Sequence, residues 1–281
     1  MEKRPTRLRN APLVHVLVQV AFPAVADWPD RISSVRSQFH EAGFPIFQPS
    51  KREDVLFQVK ADGTPPEVQR QTTPVASFLN QEQRFAFQLW NSSLVLHTTS
   101  YHSFGHFVGM LRVGLRVLQA AMSPESVHRI GLRYVDLIQP REDEKLSDYV
   151  EPGVMGFPFK DLSDLDIQGV AVNSHAVGLT PSGALAVRVM TLPPGQFLPP
   201  DLEIGGLLLP ENADPNRPGL AVDFDHYAVF AGDSVESQPI LFEVDDICRR
   251  VAHLHDPLKH AFLAAVTATA QERWGGWEEV P

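Results

Sequence analysis

Residues 127–138, Val-His-Arg-Ile-Gly-Leu-Arg-Tyr-Val-Asp-Leu-Ile, put two arginines and a glycine into an otherwise apolar run. Successive side chains of a strand point to opposite faces, so Arg129, Gly131 and Arg133 share one side, and Ile130, Leu132 and Tyr134 the other. A strand with an apolar face and two guanidinium groups on its reverse needs negative charge nearby. Residues 220–227, Leu-Ala-Val-Asp-Phe-Asp-His-Tyr, supply it: Asp223 and Asp225 fall on one face, and Val222, Phe224 and His226 on the other. We expect the arginines to meet these aspartates across the sheet, because removing one partner of a buried pair costs on the order of 3–5 kcal/mol.

Around this pair the chain reads as α+β: a largely antiparallel sheet with amphipathic helices on one face. Val14, Val16, Val18 and Val20 make one β-branched face of an early central strand, interrupted at strand spacing by His15 and Gln19. Basic residues precede this run and Ala24-Val25-Ala26 follows it, a pattern shared with secretory leaders, but the alternation favours a strand. Asp27-Trp28-Pro29-Asp30 suits a helix start capped by Asp27, with Trp28, Ile32, Val35 and Phe39 at helical spacing and Gly43 as the stop. Pro45 to Pro49 reads as a connection and 54–60 as a strand, and 64–74 as a polar excursion holding at most a short strand. Phe85, Phe87 and Leu89 alternate before an Asn91-Ser92 turn into a strand at 94–99, and Ser103 caps a helix carrying Phe104, Val108, Leu111, Leu115 and Leu118.

Strands are expected near 167–179 and 184–190. A proline-rich segment at 192–219 then forms a crossing loop or an interaction arm that packs through Phe197 and Leu207 to Leu209. A helical region from about 242 to 274 follows, with Asp256-Pro257 kinking it or starting a second helix. The chain divides into an N-terminal half, 1–140, and a C-terminal half, 141–281, with two ferredoxin-like halves as one way to build them.

A net charge of −10 argues against a protein that coats nucleic acid, whose affinity comes from clustered Lys and Arg. A single cysteine, Cys248, fits a reducing cytoplasm and a buried, inert position on the late helix. Nothing approaches the roughly 18 apolar residues of a membrane span, so no membrane partner is expected.

No Gly-x-Gly-x-x-Gly, P-loop or Gly-x-Ser-x-Gly is present, so no cofactor is expected and the reading leans away from an enzyme. His97, His102 and His106 form the best local histidine cluster, but without a carboxylate or cysteine beside them no metal site is expected; His253, His255 and His260 are wrongly spaced for one face.

Three stretches carry a resemblance: Asn10-Ala-Pro-Leu-Val-His-Val-Leu-Val-Gln-Val20, Arg129-Ile-Gly-Leu-Arg-Tyr-Val-Asp136, and Leu254-His255 with Phe262 and Thr267. In this order they resemble a sporadically distributed bacterial family of uncharacterised function, with Arg-x-Gly-Leu-Arg-Tyr the most specific element. Pro257 departs from the helix-compatible residue expected there. The resemblance implies a bacterial cytoplasmic protein, no particular reaction, and a mobile-element or host-defence setting.

The expectation is therefore a noncatalytic binding or regulatory protein recognising another protein through the proline-rich arm and an exposed surface. The alternatives are an RNA-binding or RNA-processing protein and a small-anion sensor. Arg129, Arg133, Asp223 and Asp225 are the candidate binding residues, either as ligand groups or as partners of one another.

Overall fold

The computed structural model describes residues 6–58, 67–157, 171–230 and 238–279. Its strands are β1 (Thr6–Leu8), β2 (Leu13–Ala21), β3 (Ile46–Gln58), β4 (Glu67–Leu79), β5 (Phe85–Trp90), β6 (Ser93–Thr98), β7 (Ser126–Val127), β8 (Arg129–Ile138), β9 (Asn173–Thr180), β10 (Gly183–Leu192), β11 (Gly219–Val229), β12 (Ile240–Leu241) and β13 (Trp277–Glu279). The helices are α1 (Trp28–Glu41), α2 (Phe104–Met122), α3 (Val244–Ala265) and α4 (Ala268–Arg273). Nine strands form one sheet in the order β3-β4-β5-β6-β2-β8-β11-β10-β9, every neighbouring pair antiparallel. The fold is α+β, as the residue pattern indicates, and both halves of the chain feed this one sheet, joined where β8 pairs with β11.

One face of the sheet is covered by helices. Val16, Val18 and Val20, Ile130 and Leu132, and Val222 and Phe224 pack there against Phe39 of α1, Leu111, Leu115 and Leu118 of α2, and Ile247, Val251 and Leu254 of α3. Aromatic rings dominate one end, where Phe39 stacks on Phe78 at 4.4 Å and lies 4.9 Å from Phe87. Gly114 lets α2 close onto β5, since a methyl group there would run into the Phe87 ring. Cys248 is buried in this layer, and burial pushes its thiol pKa up.

Among the described residues no helix lies on the other face. The segment between Leu192 and Gly219 crosses it as a strap, burying Phe197 and Leu198 against Val14, Val135 and Leu137, and Leu207 against Leu79 and Ala86. Val14 belongs to this side, not with Val16, Val18 and Val20 as strict alternation suggests. The β2–β8 register shifts between Leu13 and His15, and a bulge of this kind turns one residue over.

Other local expectations change as well. β3 begins at Ile46 and runs through Pro49, and β4 runs through Pro74, so both prolines sit inside strands. Each is placed where a missing N–H is tolerated: β3 is an edge strand, and β5 pairs only with Ala76 to Leu79 of β4. The expected strand at 54–60 therefore starts earlier, and its last residues, like 167–170 of the expected strand before β9, lie outside the described residues. Asp27 precedes α1 but its side chain does not cap it, accepting instead from Arg31 Nε at 2.7 Å. Ser103 does cap α2, its hydroxyl accepting from the His106 N–H at 3.2 Å. Pro257 lies inside a continuous α3; the new helix starts only at Ala268, capped by Thr267.

Candidate functional site

The arginine and aspartate strands are neighbours, and the ion pairs form with a diagonal offset. Backbone register sets Arg133 opposite Asp225, yet its guanidinium reaches the next aspartate, with Nε and Nη2 donating to the two carboxylate oxygens of Asp223 at 2.7 Å each. Arg188 of β10, directly opposite Asp223, forms an ion pair with the same carboxylate, its Nε 2.9 Å from Oδ2. Asp201 of the strap closes the circuit, accepting from Arg133 Nη1 at 2.9 Å and from Arg188 Nη1 at 3.1 Å. Two cations and two anions thus bind three strands and the strap into one network.

This network is structural in its energetics. Asp223 is fully buried and the Arg133 side chain is 7% exposed, so each depends on its partner. Burial alone would lower the Arg133 pKa, but the hydrogen bonds it donates to Asp223 and Asp201 outweigh it and raise it. Burial would raise the Asp201 carboxyl, and the two arginines hold it below its ordinary value.

Arg129 is held differently. Its guanidinium lies along the strand over Gly131, whose missing side chain makes room: a methyl there would sit 2.9 Å from Nη1. It donates to Gln19 Oε1 at 2.5 Å, stacks over the Tyr227 ring at 4.8 Å, and approaches Asp225 only to 3.7 Å. That distance is too long for a hydrogen bond, and burial leaves the Asp225 pKa raised despite Arg129 and Arg133.

Beside these groups opens a cleft of about 570 Å³. Its floor is the helix-free sheet face, with Leu17, Gln19, Gln88, Trp90, His97, Arg129 and Arg133; Asp201 to Glu203 of the strap form one wall. The opposite wall carries Ser50, Lys51, Glu53 and Val75, from the part of the β3–β4 hairpin that runs past β5. All four candidate residues lie on this face, but only Arg129, Arg133 and Asp225 line the cleft; Asp223 is sealed beneath the network.

Sequence reasoning missed Arg188 and Asp201, and read His15 only as an interruption of an apolar run. His97 lines the cleft floor and His15 lies behind it, the rings 5.5 Å apart and both about 1% exposed. His97 therefore belongs with His15, whereas His102 and His106 flank Phe85. Of the late histidines, His255 stacks on Phe104 at 4.0 Å and His260 bonds the Asp256 carbonyl, each within or beside α3. Among the described residues no three His, Cys, Asp or Glu side chains are grouped to hold a metal ion, and no helix is long and apolar enough to cross a membrane. Compared with known proteins, the chain matches no family model and no curated protein in sequence.

Proposed function

We propose that this is a noncatalytic binding protein that recognises another polypeptide through the cleft on its helix-free sheet face. What carries the reading is the charge balance there. Lys51, Arg129 and Arg133 face Glu53, Asp201, Glu203 and Asp225. Arg133 has both neighbouring carboxylates on its nitrogens, and Arg129 is spent on Gln19, Tyr227 and Asp225. A polyanion needs a surplus of accessible cations, and a small-anion site needs donors that are not already satisfied. A polypeptide needs neither: it asks for hydrogen-bonding groups of both signs around a partly apolar floor, which Lys51 and Glu203 on the walls and Gln19, Gln88 and Trp90 on the floor provide.

On this reading recognition falls to the cleft; the burial of Phe197, Leu198 and Leu207 against the sheet speaks against the proline-rich segment as a free arm. The test is a photo-crosslinking residue introduced at Glu203, with one at Arg116 on the outer surface of α2 as control. In extract of the producing cells, Glu203 should yield a discrete protein adduct that survives nuclease and weakens with Lys51→Glu. Adducts that disappear with nuclease, with affinity falling steeply in salt, would replace this reading by RNA binding.

A further inference from the structure

His15 Nε2 and His97 Nδ1 lie 3.3 Å apart, with the rings nearly perpendicular at 87°. Each ring keeps a second nitrogen, His15 Nδ1 and His97 Nε2, that is buried and has no hydrogen-bond partner. His226 shows how this chain otherwise treats a buried imidazole: Nδ1 bonds the Leu254 carbonyl and Nε2 the Thr180 hydroxyl, each at 2.8 Å.

The chemistry of the pair restricts what it can receive. Burial, with His97 and Arg133 nearby, keeps the His15 pKa well below its ordinary value, and burial lowers that of His97 to about 4, so both rings are neutral near pH 7. One neutral ring donates to the other. Whichever does so, the outer nitrogens are left as one N–H and one lone pair, and a concerted tautomer change exchanges the two. His97, which lines the cleft, can thus present either a donor or an acceptor.

A metal ion between the facing nitrogens fits less well. It would take both inner lone pairs and leave two buried N–H groups with nothing to accept them, beside the Arg133 cation and without a third ligand group among the described residues.

The cover over His97 is the Gly205-Gly206 turn of the strap, with φ of +54° and +87°. A methyl on Gly205 would meet His97 Cε1 at 2.9 Å and collide with the Gln88 amide. The strap is anchored on both sides of this turn. Asp201 is held by the arginines, and beyond the turn Leu208 N–H donates to the Gln83 carbonyl at 2.9 Å while the Thr99 hydroxyl donates to the Leu208 carbonyl at 2.7 Å. Between these anchors Leu202 and Ile204 pack on the sheet, so the stretch with no side chain to hold it down is the Gly205-Gly206 turn itself.

We propose that the His15–His97 pair is the inner subsite of the cleft and takes a neutral amide of the bound polypeptide, backbone or Asn/Gln side chain, admitted when the Gly205-Gly206 turn lifts. The proposal rests on the cleft being the binding surface. An amide matches because its carbonyl and N–H satisfy either tautomer, and because Arg133, the charge beside the pair, is already neutralised by Asp223 and Asp201.

The test uses the full chain with ¹⁵N-labelled histidine rings at pH 7.5, titrated separately with N-methylacetamide, acetate and guanidinium. N-methylacetamide should shift the His97 Nε2 and His15 signals saturably, and the two ions should not. A His15→Leu/His97→Leu double variant should melt at a higher temperature, having lost unsatisfied polar atoms, and should lose binding of the crosslinked partner. An equal response to acetate, a saturable response to zinc in place of the amide, or a lower melting temperature for the double variant would each overturn the proposal. Its failure is separable from that of the cleft: a Glu203 adduct with silent histidines sinks the subsite alone, and responsive histidines without an adduct sink the polypeptide reading alone.

Discussion

The two faces of the sheet are made by the same strands and held by different means. On the helix side, adhesion is spread over many apolar side chains, with Phe39, Phe78, Phe87, Leu111, Leu115 and Phe224 all sealed from water. On the strap side, two smaller apolar patches flank a closed circuit of Arg133, Asp223, Arg188 and Asp201. The dispersed apolar layer holds a smaller cavity, of about 220 Å³, beside His253 and Leu254 of α3. A strap fixed at a few points leaves space between them, and that space is the cleft.

The largest expected effects break each face at its centre and then differ on repair. Phe87→Ala should cost about 3–5 kcal/mol through the cavity it leaves. Asp223→Ala should cost about the same, because it strands two arginines with only Asp201 to share. Combining Asp223→Leu with Arg133→Met and Arg188→Met should recover most of the second loss, while no small set of changes refills the Phe87 cavity. Urea denaturation of the single and combined variants checks this; a triple variant no more stable than Asp223→Ala would mean the circuit does more than neutralise itself.

Next in size, Gly114→Ala should cost about 1–3 kcal/mol by overpacking, because the added methyl meets the ring of a fully buried Phe87. Gly206→Ala on the strap offers a contrast: the methyl meets the Gln48 side-chain amide, but the backbone sits at a φ of +87°. Its penalty should come from backbone strain, and Gly206→Asn should relieve part of it. Equal melting temperatures for the Ala and Asn variants would argue against that assignment.

Much of this contrast is legible in the sequence, because period-two alternation assigns each residue of β8 and β11 to a side without knowing the fold. What alternation omits is the partner. Side chains lean along a strand, so Arg133 bonds Asp223 although Asp225 is its backbone neighbour, and a charge swap between Arg133 and Asp225 tests the wrong pair. Arg188 and Asp201 join the circuit only through the β10 register and the path of the strap, neither of which has a local signature. Prolines 49 and 74 hid two thirteen-residue strands because their tolerance depends on which edge is free. The histidine pair needs β2 and β6 side by side, a fact about residues 82 apart.

Two buried groups, one on each face, should also titrate with opposite sign. Asp136, turned by alternation toward the helix side, has its pKa pushed up to about 8, by burial first and Asp223 second, from an ordinary 3.8. Between those values the folded state holds a proton that the unfolded chain releases, so Asp136 makes stability fall as pH rises, by about 1.4 kcal/mol per pH unit at most. His97 is lowered from 6.5 to about 4, so in that window the unfolded chain binds the extra proton and stability falls as pH drops. Above pH 6.5 the histidine pair is silent. Asp136→Asn should flatten the decline between pH 6.5 and 8, and His97→Leu should flatten the acid limb between 6.5 and 4, each read from urea midpoints across pH.

The smallest expected effect separates structure from site most cleanly. Gly131→Ala adds a methyl 2.9 Å from Arg129 Nη1, and the atom it meets is the far end of a flexible side chain, not backbone. The fold should tolerate it, with a cost under about 1 kcal/mol, comparable to losing one exposed cation–π contact. Arg129 should nevertheless be driven off its place over Gly131, loosening its hold on Tyr227 and on Gln19 of the cleft floor. If the cleft binds polypeptide, Gly131→Ala should weaken the Glu203 crosslink while leaving the urea midpoint nearly unchanged, and Arg129→Lys, which loses the flat stacked guanidinium, should do the same. A variant that loses stability and keeps the crosslink would move Arg129 from the binding surface into the scaffold, where Arg133 already stands.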